Sequence, residues 1–167
     1  AEERGKIYWS MNDTIAKLHN ADFKRIGLSD YGKHENYMAR QIARWTKQYK
    51  DSETTLIPEM DNLIEWLPKN IPSGEETSIV HGDFRLDNMV FDKDTNEVIA
   101  ILDWELSTLG HPIADFTYHM MCWKLPLAAE GIGILGANLK ELNIPNENEY
   151  AEAYYRKTNR NEIQDWN

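Results

Sequence analysis

Apolar positions recur at helical spacing through the first part of the chain. Ile7, Met11, Ile15 and Leu18 stand four, four and three residues apart. They form one stripe, and it predicts a helix ending near His19-Asn20. Asp22 to Lys33, with Gly27, Gly32 and Ser29-Asp30, carries turn chemistry and predicts a loop. Met38, Ile42, Trp45 and Tyr49 mark a second helix. A third starts at Pro58, a residue favoured in a first turn, and carries Met60, Leu63, Ile64 and Leu67 until Pro68, Pro72 and Gly74 stop it.

From Thr77 the pattern changes. Ser78-Ile79-Val80, Met89-Val90-Phe91 and Val98 to Leu102 predict three short strands. The last two are joined by the polar run Asp92 to Glu97, which suits a hairpin loop better than a calcium loop, since the glycine and spacing of the latter are missing. An irregular stretch follows Asp103. Pro112 then starts a helix with Phe116 and Met120 on one side. Pro145 to Lys157 reads as another helix, with Glu147 and Glu149 in the first turn where the helix dipole favours them. A last helix starts at Asn161. The fold class is α+β: a mainly helical body with a small β-hairpin inserted.

Polar residues crowd the mouth of that hairpin. Asp83, Asp87, Asn88, Asp103, Glu105 and Asp115 all fall between residues 78 and 116. Carboxylates held close together cost free energy unless something binds between them. A loop between strand ends can turn Asp83 and Asn88 into one pocket, and Asp103, ending the second hairpin strand, returns to the same mouth. Asn88 and Asp103 then offer the hard oxygens that Mg²⁺ takes, with waters and phosphate oxygens completing the shell. Asp83 stays free of metal, to accept a proton from a substrate hydroxyl or orient it toward a γ-phosphate. His81-x-Asp83 followed by Asn88 and a downstream Asp103 is the part list of phosphoryl transfer.

Composition narrows the partners. The net charge of -10 argues against nucleic acid or an anionic membrane surface. A bound divalent cation would reverse the local field, so a phosphorylated substrate remains compatible. Cys122 is the single cysteine, which excludes an intrachain disulfide and fits a reducing, cytoplasmic setting. No apolar run is long enough to span a membrane, and AEERGKIYW lacks the core of a signal peptide. The triplet Asn12-Asp13-Thr14 matches a glycosylation acceptor but arises easily by chance. With 41% hydrophobic residues, 167 residues suit one domain or one large lobe.

His81-Gly82-Asp83 with Asn88, then Asp103-Trp104-Glu105, then Gly110-His111-Pro112 with Asp115 follow one another in order, with apolar strands between them. In these motifs the sequence resembles the aminoglycoside phosphotransferase and choline kinase family of small-molecule kinases, which have a protein-kinase-like fold. Leu18-His19 looks like the helix that precedes the family's catalytic loop. Tyr37, Arg40-Gln41, Trp45 and Gln48-Tyr49 are similar to the phosphotransferase domain associated with acyl-CoA dehydrogenases. The resemblance implies ATP as co-substrate and Mg²⁺ as cofactor, with Asp83 as catalytic base and His81 bracing its loop. It implies Asn88 and Asp103 as metal ligands, Asp115 as a buttress of the loop, and Glu105 against substrate or an outer-shell water. Arg85 pairs with a carboxylate or reaches a substrate anion, which makes it the second substrate-binding candidate beside Glu105. The acceptor would be a small-molecule hydroxyl, on an acyl chain or its thioester if the acyl-CoA dehydrogenase likeness holds.

The resemblance covers residues 1–167 as the family's C-terminal lobe. The Gly-rich loop and strand lysine of the N-terminal, nucleotide-covering lobe are not visible, so that lobe is expected outside this chain. Two other readings follow from the same residues. One is a non-catalytic, pseudokinase-like module, and the other a metal-dependent hydrolase built on Asp83, Asn88, Asp103 and His81. Singly, Asp83 and Asn88 also suit turn caps, and Asp87 suits a local cap facing solvent.

Overall fold

The computed structural model describes residues 2–127 and 133–161. The helix expected from Asn161 lies outside the described residues.

The first stripe forms helix α1 (Glu2–Asn20), which packs against α6 (Glu147–Thr158). Met11 and Ile15 are buried as expected, and Asn12 is fully buried beside them. Asn12 Nδ2 donates to the Tyr150 carbonyl at 2.9 Å, so the acceptor residue of the glycosylation triplet is enclosed in the α1–α6 seam. Helix α6 starts two residues later than its sequence pattern suggested. Asn146 accepts from the Glu149 N–H at 3.0 Å while the Glu149 carboxylate accepts from the Asn146 N–H at 2.9 Å. This reciprocal capping box satisfies two otherwise orphaned donors.

Helix α4 (Pro112–Lys124) completes the core. Phe116 stacks flat on Tyr154, ring centroids 3.8 Å apart, and Trp123 leans on Tyr150 at 4.8 Å. Large rings bury much apolar area per residue, and here they weld three helices together. Met120 and Trp123 are buried as the sequence implied, but Met121 faces outward. A short helix α5 (Leu139–Leu142), not expected from the pattern, precedes α6.

Helices α2 (Tyr37–Ser52) and α3 (Pro58–Trp66) form where expected, yet neither contains a buried residue. Their apolar stripes are real, but Trp45, Leu63 and Trp66 remain exposed.

Two small antiparallel sheets hold the polar cluster. Strands β2 (Met89–Phe91) and β3 (Val98–Ile101) make the expected hairpin, with a bulge between Val90 and Phe91. Its loop is an Asx turn: the Asp92 carboxylate accepts from Thr95 and Asp94 N–H groups at 2.8 and 2.9 Å, and Asn96 takes a left-handed φ of 62°. Strand β1 (Ser78–Val80) pairs instead with β4 (Thr108–Gly110), in register Ile79↔Leu109. The stretch after Asp103 is therefore not wholly irregular. A three-residue strand ending in glycine has little propensity of its own, and its partner 30 residues away imposes it.

Candidate active site

The loop from His81 to Asn88 leaves β1 and is suspended from α4. Asp115, in the first turn of α4, is buried and points at the loop's start. Its Oδ2 accepts from the His81 N–H and its Oδ1 from the Gly82 N–H, both at 2.8 Å. The Oδ2 atom also meets His19 Nε2 at 3.1 Å, and His19 Nδ1 meets the Tyr154 hydroxyl at 2.6 Å. Burial alone would raise the Asp115 carboxyl, but the His19 contact and the two loop N–H groups outweigh it and hold it below the usual carboxylate range. Burial holds His19 below its ordinary value despite that carboxylate. The arrangement is therefore a neutral imidazole donating to an ionised carboxylate.

Gly82 has φ +85°, and a Cβ there would sit 2.8 Å from the Leu106 carbonyl oxygen, so both backbone and space call for glycine. His81 is fully buried. Its Nε2 donates to the Leu102 carbonyl at 2.9 Å, which leaves Nδ1 to accept from the Asp83 N–H at 3.3 Å. This imidazole ties the loop to the strand that leads to Asp103, and its position suits bracing. Trp104 covers it edge-on at 4.9 Å while donating to the Ile101 carbonyl at 2.8 Å.

Asp83 and Asn88 meet at the hairpin mouth, and Asp103 follows the end of the second hairpin strand. The Asn88 amide nitrogen donates to the Asp83 carbonyl and to Asp83 Oδ2, each at 2.9 Å. With both amide hydrogens used, Asn88 Oδ1 is left without a protein donor among the described residues. The Leu102 N–H donates to the Asn88 carbonyl at 2.8 Å, so Leu102 stands opposite Asn88 and Asp103 follows it past the end of β3. Asp103 is held at φ 61°, in the left-handed region, and its exposed carboxylate bonds no described residue. Uncommon backbone of this kind persists where surrounding structure imposes it.

Asn88 Oδ1 and the Asp103 carboxylate, neither bonded to a described residue, are hard oxygens of the kind Mg²⁺ takes beside waters and phosphate oxygens. Among the described residues, no group of three or more His, Cys, Asp or Glu side chains is placed to hold a metal.

Arg85 pairs with Asp87 at the surface, so both candidates find a local partner. Exposed pairs of this sort are worth about 0–1 kcal/mol, weak enough for a ligand anion to take the guanidinium over. Glu105 is exposed and bonds no described residue.

Two residues of the site were missed by sequence reasoning. The Tyr118 hydroxyl donates to Asp83 Oδ1 at 2.5 Å. His119 bridges the Phe84 carbonyl, 3.1 Å from Nδ1, and the Tyr150 hydroxyl, 2.8 Å from Nε2. Complete burial pushes the His119 imidazole down to about 4, so it is neutral. The signal for both was present: they stand three and four residues after Asp115 on one helix, and such positions share its face. Behind them lies a cavity of about 540 Å³ lined by Tyr8, Met11, Phe84, Leu86, Met121 and Ile134, with Arg85 and Tyr118 on its wall. Cys122 borders it, its thiol pushed up to about 11 by burial, and so remains protonated near neutrality. His111 caps α4 by accepting from the Ile113 N–H at 3.3 Å, a turn-shaping role. No described helix is long and apolar enough to cross a membrane.

The phosphotransferase enzyme family matches residues 1–153. The chain is 41% identical over 165 residues to acyl-CoA dehydrogenase family member 10 of Mus musculus, covering 98% of this chain and 15% of that protein. A solved structure from Ralstonia eutropha, described by inference as an aminoglycoside phosphotransferase, is 51% identical and superposes with a TM-score of 0.95. That match covers 99% of this chain and 50% of that one. An aminoglycoside-3'-phosphotransferase of type VIII, 19% identical, shares the fold with a TM-score of 0.67 over 98% of this chain. This chain thus spans half the length of the Ralstonia protein and a smaller part of the mouse one.

Proposed function

The chain belongs to the phosphotransferase enzyme family, and on that premise we propose that it is the catalytic C-terminal lobe of an ATP- and Mg²⁺-dependent small-molecule kinase acting on a hydroxyl group. Its fold is the protein-kinase-like fold of the aminoglycoside phosphotransferases, as the sequence resemblance implied. The observation that carries the reading is the double use of the Asn88 amide. It fixes Asp83 and, by using both hydrogens, leaves its own Oδ1 without a donor among the described residues, as the Asp103 carboxylate also is.

In this reading Asn88 and Asp103 hold Mg²⁺, which when bound neutralises charge on the β- and γ-phosphates. Asp83 receives the proton of the acceptor hydroxyl as the acceptor oxygen bonds the γ-phosphorus and the bond to the β–γ bridging oxygen breaks, releasing ADP. His81, Asp115 and His19 keep the loop in place, so the protein's contribution is chiefly positioning and fixed charge. Arg85 and Glu105 flank the acceptor. The name of the mouse relative links that protein to acyl-CoA chemistry, and the apolar cavity beside Asp83 suits a chain-bearing molecule, so the acceptor is a hydroxyacyl compound. The single cysteine and the net charge of -10 suit a cytoplasmic protein with no nucleic-acid or membrane partner.

Calorimetric titration of ATP into the protein carrying both lobes tests this, with and without Mg²⁺, in wild type and Asp103→Ala. Magnesium-dependent binding that disappears in the variant is expected. No binding to the intact protein would remove the kinase reading and leave a non-catalytic scaffold in its place.

A further inference from the structure

Helix α4 grips the loop at three points. Asp115 holds the backbone of His81 and Gly82, His119 holds the carbonyl of Phe84, and Tyr118 between them holds the carboxylate of Asp83 itself. The first two contacts are buried. The Tyr118 contact is not: the residue is 37% exposed, and its ring forms part of the wall of the 540 Å³ cavity.

Each oxygen of Asp83 therefore carries a donor. On Oδ2 it is Asn88, itself bonded twice and tied into the loop. On Oδ1 it is the Tyr118 phenol, a single bond from a side chain at the solvent edge. An acceptor hydroxyl that is to give its proton to Asp83 must approach one of these oxygens. Displacing Asn88 would undo both of its bonds to Asp83, whereas displacing Tyr118 breaks one bond and needs the side chain to swing about χ1 at the solvent edge. The Arg85 guanidinium lies beside the phenol and offers it a neighbouring contact.

We propose that Tyr118 is a latch on the candidate base: its phenol occupies Asp83 Oδ1 until the acceptor hydroxyl displaces it, which keeps water from that oxygen while nucleotide waits alone. The latch rests on the phosphotransferase reading of Asp83. Without it, a water molecule at Oδ1 would pass a proton to Asp83 as its oxygen bonded the γ-phosphorus and the β–γ bridging bond broke, and ATP would be lost to ADP and phosphate. Tyr118 is thus a positioning residue, acting through Asp83.

The contact itself is read first, by ¹³C NMR titration of Tyr118. Burial and then the Asp83 contact raise its phenol above the ordinary value. In Asp83→Asn the Tyr118 midpoint should fall, and an unchanged midpoint overturns the latch irrespective of any activity. The second reading is Tyr118→Phe in the full-length protein, which keeps the ring. Acceptor-free ATP hydrolysis should rise roughly three- to tenfold, the size of one net hydrogen bond, with a comparable drop in acceptor KM and little change in kcat. Unchanged hydrolysis with a reduced kcat would overturn the latch and make Tyr118 a substrate contact. A Tyr118 midpoint that follows Asp83 in a protein with no ATP turnover in either form would overturn the kinase reading, and the latch with it.

Discussion

At the scale of single residues, the site depends on a few positions where one atom decides. Gly82 is the sharpest. It joins a left-handed φ to a 2.8 Å approach by the Leu106 oxygen, while its N–H is held by Asp115. Gly82→Ala would cost about 1–2 kcal/mol in backbone alone, and the loop must also move to clear the methyl group. A melting temperature roughly 2–8 °C lower is expected, together with loss of Mg²⁺-dependent nucleotide binding by the complete protein. A variant that melts and binds like wild type would show that the loop is softer than its contacts imply. The residues legible in the sequence at this scale were those whose chemistry is rare in a given order: Asp83, Asn88 and Asp103. Tyr118 and His119 were illegible because a tyrosine and a histidine inside a helical run have many ordinary uses. Only the packing of α4 against the loop singles them out.

At the scale of elements, periodic segments were legible and paired ones were not. The stripe of α1 and the first-turn acids of α6 are local signals, and both helices form. Strand β4 has no local signal, because its three residues are made a strand by β1, and that pairing brings Gly110 and α4 back beneath the loop from His81 to Asn88. The stripes of α2 and α3 were also read correctly as helices, but periodicity says nothing about what covers a face. The strongest purely local device is the capping box of α6. Asn146→Ala removes the acceptor of the Glu149 N–H and should cost about 1 kcal/mol. Because Tyr150 and Tyr154 on α6 meet Phe116 and His119 on α4, the loss is expected to spread beyond the helix end. Urea unfolding should show it as a lower midpoint with an unchanged slope, and a changed slope would place the effect in the unfolded chain instead.

For the whole molecule, the interior is unusual in holding ionisable rings. His119 and His19 are buried in the seam between the loop, α1, α4 and α6, and burial favours the neutral form of each. The sign of the consequence is fixed by linkage. The folded value of His119 is about 4, below the 6.5 expected of an exposed imidazole, so between those values the unfolded chain binds more protons than the native one. The stability that His119 contributes is complete above about pH 6.5 and is lost as pH falls toward 4, to the extent of about 3 kcal/mol. His19, also lowered by burial, adds to the loss in the same direction. Asp115 is depressed as well, so its own contribution goes only at still lower pH, below the ordinary carboxylate range. Unfolding free energy measured in urea should therefore decline steadily from pH 7 to pH 4.5, and the decline should be shallower in His119→Gln. A flat profile would mean that the seam admits water. In that case the grip of α4 on the loop from His81 to Asn88, which runs through the same buried rings, would be looser than the hydrogen bonds imply.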